Sequence, residues 1–164
     1  MRFSYERERV LEASWTPATG LSIASADLPE EWSTALQTLV QDLPVRQFGG
    51  VVQRVDFWVE YDADSGFAWL GSVVSTLDGV WDGGGISGSG AKLDANVATI
   101  LESMADLLQT EVADSSVAWP WGENGGFMDA IVVDGIARWV DRRTGASAPV
   151  GSLGEFSGDD PSGR

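Results

Sequence analysis

Val51-Val52-Gln53-Arg54-Val55-Asp56-Phe57-Trp58-Val59-Glu60-Tyr61 is the stretch on which the reading of this chain turns. Val51, Val55, Phe57, Val59 and Tyr61, joined by Gln53, fall on one face of an extended chain; Arg54, Asp56, Trp58 and Glu60 fall on the other. A period of two with one apolar and one polar face predicts a strand whose sheet is covered on a single side. Asp62-Ala63-Asp64-Ser65-Gly66 then turns the chain, so Phe67 to Leu77 reads as the antiparallel partner.

Working outward, the upstream sequence predicts a second hairpin. Phe3 to Trp15 reads as a strand in which alternation slips near Val10-Leu11, the mark of a bulge. Thr16-Pro17-Ala18-Thr19-Gly20 is a turn, and Leu21 to Ala26 is the return strand. Asp27-Leu28-Pro29-Glu30 predicts a helix start, with Asp27 as cap, Pro29 in the first turn and Glu30 completing a capping box. That helix runs to about Leu43, with Trp32, Leu36, Leu39, Val40 and Leu43 on one stripe. Downstream, a glycine-rich loop from Gly79 to Ala91 leads to a second amphipathic helix from about Lys92 to Glu111. Three short strands follow: Ser116–Trp121, Phe127–Val133 and Ile136–Asp141, the last two joined by Asp134-Gly135. From Ala146 the chain is Gly, Ser, Pro and Asp without periodicity.

The order ββα-ββα-βββ predicts an α+β fold: one mostly antiparallel, twisted sheet of about seven strands with both helices on one face. Residues 1–145 are expected to form a single domain and residues 146–164 a disordered tail.

Composition narrows the chemistry. The chain has 164 residues with 10 basic and 25 acidic side chains, a formal charge of −15, no cysteine and no histidine. Without Cys there is no disulfide, no thiolate nucleophile and no zinc-thiolate site. Without His, the usual base near neutral pH and the Ser-His-Asp triad are gone. The expectation is no catalytic residue, no metal site and no cofactor. Residues 146–164 set Glu155, Asp159 and Asp160 against Arg164, which leaves −13 on residues 1–145. Such a field repels phosphate backbones and anionic lipid, so neither nucleic acid nor membrane is expected as a partner. A basic protein is the partner it attracts. The first residues carry charges throughout and no apolar signal core, so the expected location is cytoplasmic.

Three motifs bear on chemistry. Gly83-Gly84-Gly85-Ile86-Ser87-Gly88 matches G-x-G-x-x-G, but it follows a hairpin rather than a parallel crossover, and Ala91 and Leu93 spoil the phosphate-loop spacing. A flexible connection is the expected role. Asp62-x-Asp64 opens like a calcium loop, yet Phe67 and Val73 stand where the glycine and the bidentate Glu belong. Asp56 and Glu60 share a face but lie four strand positions apart, roughly 13 Å, too far for paired-carboxylate glycoside hydrolysis.

The eight tryptophans are the distinctive residues. Trp32 and Trp69 are expected in the core. Trp58 points with Asp56 and Glu60 to the polar face; Trp81 stands beside Asp82 at the mouth of the glycine loop; Trp119 and Trp121 are expected on one face of an edge strand. Indoles among carboxylates suit a hot spot for a basic protein. The sequence therefore predicts a non-enzymatic acidic protein-binding domain, of the inhibitor or immunity type, that neutralises a nuclease-like partner through Asp56, Trp58, Glu60, Trp81 and Asp82. The alternatives are a small-ligand or glycan binder, including a carboxylate-based hydrolase, and a domain whose acidity reports salt adaptation only.

Overall fold

The computed structural model describes residues 7–77, 79–80, 84–86 and 88–155. The elements follow in the order β1 (Glu8–Thr16), β2 (Gly20–Ala26), α1 (Glu30–Val40), β3 (Val52–Asp62), β4 (Phe67–Thr76), β5 (Gly79–Val80), β6 (Ala91–Lys92), α2 (Val97–Asp114), β7 (Met128–Val133), β8 (Ile136–Asp141) and β9 (Ser147–Pro149). Every ladder is antiparallel and the class is α+β, as the strand and helix periods require.

The single sheet expected from the sequence is instead two. One has six strands in the order β2-β1-β3-β4-β5, with β6 also on β4; the other has three, β7-β8-β9. The strand expected over Ser116–Trp121 is absent as a strand, and that segment joins its neighbours through isolated bridges, Phe48 to Ala118 and Trp121 to Phe127. Period alone could not show which hairpins share a ladder, because that depends on how α2 packs between them.

Alternation along β3 holds from Val55 to Val59, where Val55, Phe57 and Val59 are buried and Asp56, Trp58 and Glu60 are half-buried. At its start the alternation slips: Val52 is buried and Val51 is exposed, with a register shift between Val52 and Arg54. A bulge there moves the apolar set by one residue. The slip read at Val10-Leu11 is also present, with both residues buried beside a shift between Arg9 and Leu11.

Helix α1 starts later than its capping signals suggest. Pro29 holds the cap position without a side-chain hydrogen bond, while the Asp27 amide donates to the Val10 carbonyl and so serves the end of the hairpin. Helix α2 is capped by Asn96, whose side-chain oxygen accepts from the Thr99 amide at 2.9 Å. Lys92, read as the start of that helix, belongs to β6.

The two helices run side by side in the same direction. Near their starts the Trp32 indole donates to the Leu93 carbonyl at 2.8 Å; past their ends the Trp119 indole donates to the Asp42 carbonyl at 2.9 Å. Both press onto the face that carries Val55, Phe57 and Val59, and α2 also meets β7 and β8.

The tail expected from residue 146 is, as far as Glu155, part of the fold. Ser147–Pro149 pairs with β8, and Ala148, Val150 and Leu153 are buried. The reason is Asp42. Its carboxylate is buried and accepts three donors: the Trp139 indole at 2.9 Å and the Gly151 amide at 2.5 Å on Oδ2, and the Leu153 amide at 2.9 Å on Oδ1. Gly151 reaches it with φ +101, in a place where a Cβ would lie 2.6 Å from Thr38 Cγ2, so only glycine fits. Burial pushes the Asp42 carboxyl above its ordinary value, and the three donors oppose that shift.

Two outcomes follow for Asp42. Truncation in Asp42→Ala leaves an indole and two amides buried without an acceptor, and urea unfolding followed by tryptophan emission should show a loss of at least about 3 kcal/mol. Because the folded carboxyl titrates above the unfolded value of 3.8, its linkage stabilises the fold at acid pH, and that contribution is lost as pH rises through the raised value. The stability of the parent minus that of Asp42→Asn should therefore fall across that interval, as measured by unfolding at a series of pH values.

Candidate functional site

The outer face of the large sheet carries the residues singled out by the sequence. Register places Trp58 between Glu12 on β1 and Gly71 on β4, and Glu60 between Arg9 and Trp69. The Trp58 indole lies over Gly71, in the space that a Cβ at that position would occupy. This is the cross-strand arrangement in which an aromatic ring covers a glycine that has no side chain of its own. The indole Nε1 donates to Glu60 Oε2 at 2.7 Å, and the Arg9 guanidinium stands 4.8 Å from the ring centroid.

The carboxylates on this face are engaged. Arg9 reaches Glu12 at 3.5 Å, and Arg54 reaches Asp56 at 2.9 Å. The hydrogen bond that Arg54 donates to Asp56, together with the charge of that carboxylate, raises the Arg54 guanidinium above its usual value. Arg7 stands 4.2 Å over the Trp69 ring, whose other neighbour is Phe67 at 6.3 Å. Asp56, Trp58 and Glu60 are thus brought to one face as the alternation predicts, but as members of a charge-balanced array of three arginines and three carboxylates. Trp81 and Asp82 lie outside the described residues.

A block of acids without bases lies on the opposite layer. Residues 27–45 and 93–115, which contain both helices, hold Asp27, Glu30, Glu31, Asp42, Asp94, Glu102, Asp106, Glu111 and Asp114 and not one Lys or Arg. Asp42 and Glu111 are buried; the other seven face solvent, Glu102 partly. Glu30 and Glu31 in the first turn of α1 also complement the helix dipole. Between the acids the exposed residues of these segments are uncharged, so the layer presents a negative field.

A third surface departs from the sequence pattern. The sequence placed Trp119 and Trp121 on one face; the structure separates them. Trp119 is buried edge-on to Trp139 at 5.3 Å, while Trp121 stacks on Phe48 at 4.7 Å and meets Phe127 edge-on at 5.7 Å. Phe48 and Phe127 are 56% and 43% exposed, so this is an aromatic cluster open to water. Phe48 and Phe127 sit 79 positions apart in loops beside glycine pairs, with no periodicity to flag them.

The glycine-rich loop takes a role distinct from both the phosphate cradle and the free connection. β5, Gly85 and β6 run along the open edge of β4, with Gly85 exchanging backbone hydrogen bonds with Ser72 at 3.0 and 3.2 Å. Asp62 accepts from the Asp64 amide and the Ser65 hydroxyl, the bonds of an ordinary turn. Beside that turn an open cleft is lined by Arg7, Asp62, Ser65, Phe67, Trp69 and the backbone of Gly88–Gly90. Among the described residues no three acidic side chains converge as a metal site would need, and no helix is long and apolar enough to cross a membrane.

Compared with known proteins, the chain matches no family model, no curated protein and no solved structure.

Gly71→Ala tests the outer face. The added methyl displaces the Trp58 indole, at a cost of about 1–3 kcal/mol. It should also break the bond to Glu60, seen as loss of the low-field indole N–H shift of Trp58 by NMR.

Proposed function

We propose that the chain is an acidic, non-enzymatic protein-binding domain that neutralises a basic protein partner, in the manner of an inhibitor or immunity protein of a nuclease-like toxin. The observation that carries this reading is the separation of charge between the two layers. Seven solvent-facing carboxylates on the helix layer have no basic neighbour in their own segments, whereas on the sheet face Glu12 and Asp56 are paired with arginines and Glu60 with the Trp58 indole. Charges answered within the molecule contribute little to an external field; unanswered ones steer a basic partner and raise its association rate. The exposed ring cluster at Phe48, Trp121 and Phe127 adds the kind of aromatic contact that holds such a partner once it has arrived.

On this reading the encounter surface is the helix layer, and Asp56, Trp58 and Glu60 support the sheet instead of leading the approach. The glycan-binding alternative has one observation in its favour, the cleft in which Phe67 and Trp69 stand beside Asp62. A sugar ring stacks on such rings, but the cleft offers one carboxylate where hydrolysis needs two.

A pull-down from the cells of origin, at low and at moderate salt, is expected to recover a basic protein, and recovery of none at either salt removes the reading. With the partner in hand, replacing Glu30, Glu31 and Glu102 by Gln and Asp106 by Asn should slow association at least about tenfold at low salt. Asp56→Asn with Glu60→Gln should leave the association rate unchanged. Stopped-flow mixing measures both.

A further inference from the structure

We infer that β7 is a self-association edge through which two copies of this chain pair antiparallel, with Ile131 on the two-fold axis. The hairpin β7-β8 closes on Asp134-Gly135, with Val133 opposite Ile136. In an antiparallel ladder the hydrogen-bonded positions alternate, so Val133, Ile131 and Asp129 bond to β8 while Val132, Ala130 and Met128 turn their backbone groups outward. The bonds of Met128 agree with this: its amide donates to the Pro120 carbonyl at 3.0 Å and its carbonyl accepts from the Gln109 side chain at 2.6 Å. The outward groups of Ala130 and Val132 take part in no hydrogen bond among the described residues.

This edge lacks the usual protections. It carries no Lys and no Pro, and the strands around it expose Ile131 at 41%, Val132 at 37%, Val133 at 41% and Ile136 at 48%. The edge of β4, by contrast, is paired by β5, Gly85 and β6.

A second copy fits the edge in a way that the residues themselves specify. Pairing Ala130 with Val132 of a second copy, and the reverse, satisfies all eight open groups with four hydrogen bonds. Ile131 then faces its own counterpart, and Asp129 faces Val133, so no like charges stand opposite one another. The contact is isologous, as a two-fold dimer requires. The hairpin and its following turn are also where a chain of net charge −15 is locally neutral: Asp129, Asp134 and Asp141 against Arg138, Arg142 and Arg143. A contact of a few strand residues is small, so the dimer is weak and transient. The remaining charge on each copy makes its formation increase with salt, opposite in sign to capture of a basic partner.

The absence of native cysteine gives a clean test. In the proposed register Ile131 stands about 4.5 Å from its counterpart between Cα atoms, within disulfide range. Val133, equally exposed, is offset from its own counterpart by four residues, roughly 13 Å. Under mild oxidation Ile131→Cys should cross-link at least tenfold faster than Val133→Cys, and faster at 0.5 M salt than at low salt. Val132→Pro in the Ile131→Cys background removes an outward amide without touching β8, and should abolish the preference while circular dichroism stays unchanged. Equal rates for the two cysteines, or a preference that survives Val132→Pro, overturns the proposal. So does a chain that sediments as a monomer at millimolar concentration in high salt, which leaves the edge to a strand from a different protein.

Discussion

The buried carboxylate of Asp42 is the interaction on which the rest of the structure depends. It sits just past the end of α1 and receives the Trp139 indole from β8 and the Gly151 and Leu153 amides from the segment after β9. Its own carbonyl receives the Trp119 indole from the segment after α2. Three other parts of the chain are thereby fixed to the residue at the end of α1. A carboxylate taken out of water is costly unless nearly all its acceptor sites are filled, and here the donors come from places that must all be in position at once. The same requirement that makes Asp42 tolerable in the core makes the second sheet and the C-terminal segment cooperate with the first.

Charge follows the layers for a related reason. On the outer face of the large sheet three carboxylates each have a neighbouring donor: Arg9 for Glu12, Arg54 for Asp56 and the neutral indole N–H of Trp58 for Glu60. The helix surfaces are fully solvated and impose no such need. Acids accumulate there unopposed, two of them in the first turn of α1, where the backbone dipole favours them. Nine of the 25 acids thus sit in helical segments without a base, which concentrates a large share of the net charge on one side of the molecule.

Edges divide the two sheets in the same physical terms. The large sheet is finished on β4 by β5, Gly85 and β6, so the described residues of a sequence with the look of a nucleotide loop act as an edge cover. The small sheet has β9 on one side and nothing on the other among the described residues, which leaves Ala130 and Val132 with open backbone groups. Apolar exposure concentrates where the ladder is unfinished, at Ile131, Val132, Val133 and Ile136, and in the ring cluster of Phe48, Trp121 and Phe127.

The sequence by itself determined the α+β class, the two hairpins, the two helices and the polar orientation of Asp56, Trp58 and Glu60, because each follows from a local period or a turn residue. It also determined the chemistry that is missing, since no fold can supply a Cys or a His. Only the tertiary structure decided that there are two sheets, that the Gly/Ser/Pro segment after Ala146 folds as far as Glu155, and that the carboxylates beside Trp58 are already answered. Those outcomes rest on contacts such as Asp42 with Leu153, 111 positions apart, and Arg9 with Trp58 across a ladder. Period and composition report a residue's own neighbours along the chain, whereas burial and charge pairing depend on which distant segment arrives beside it.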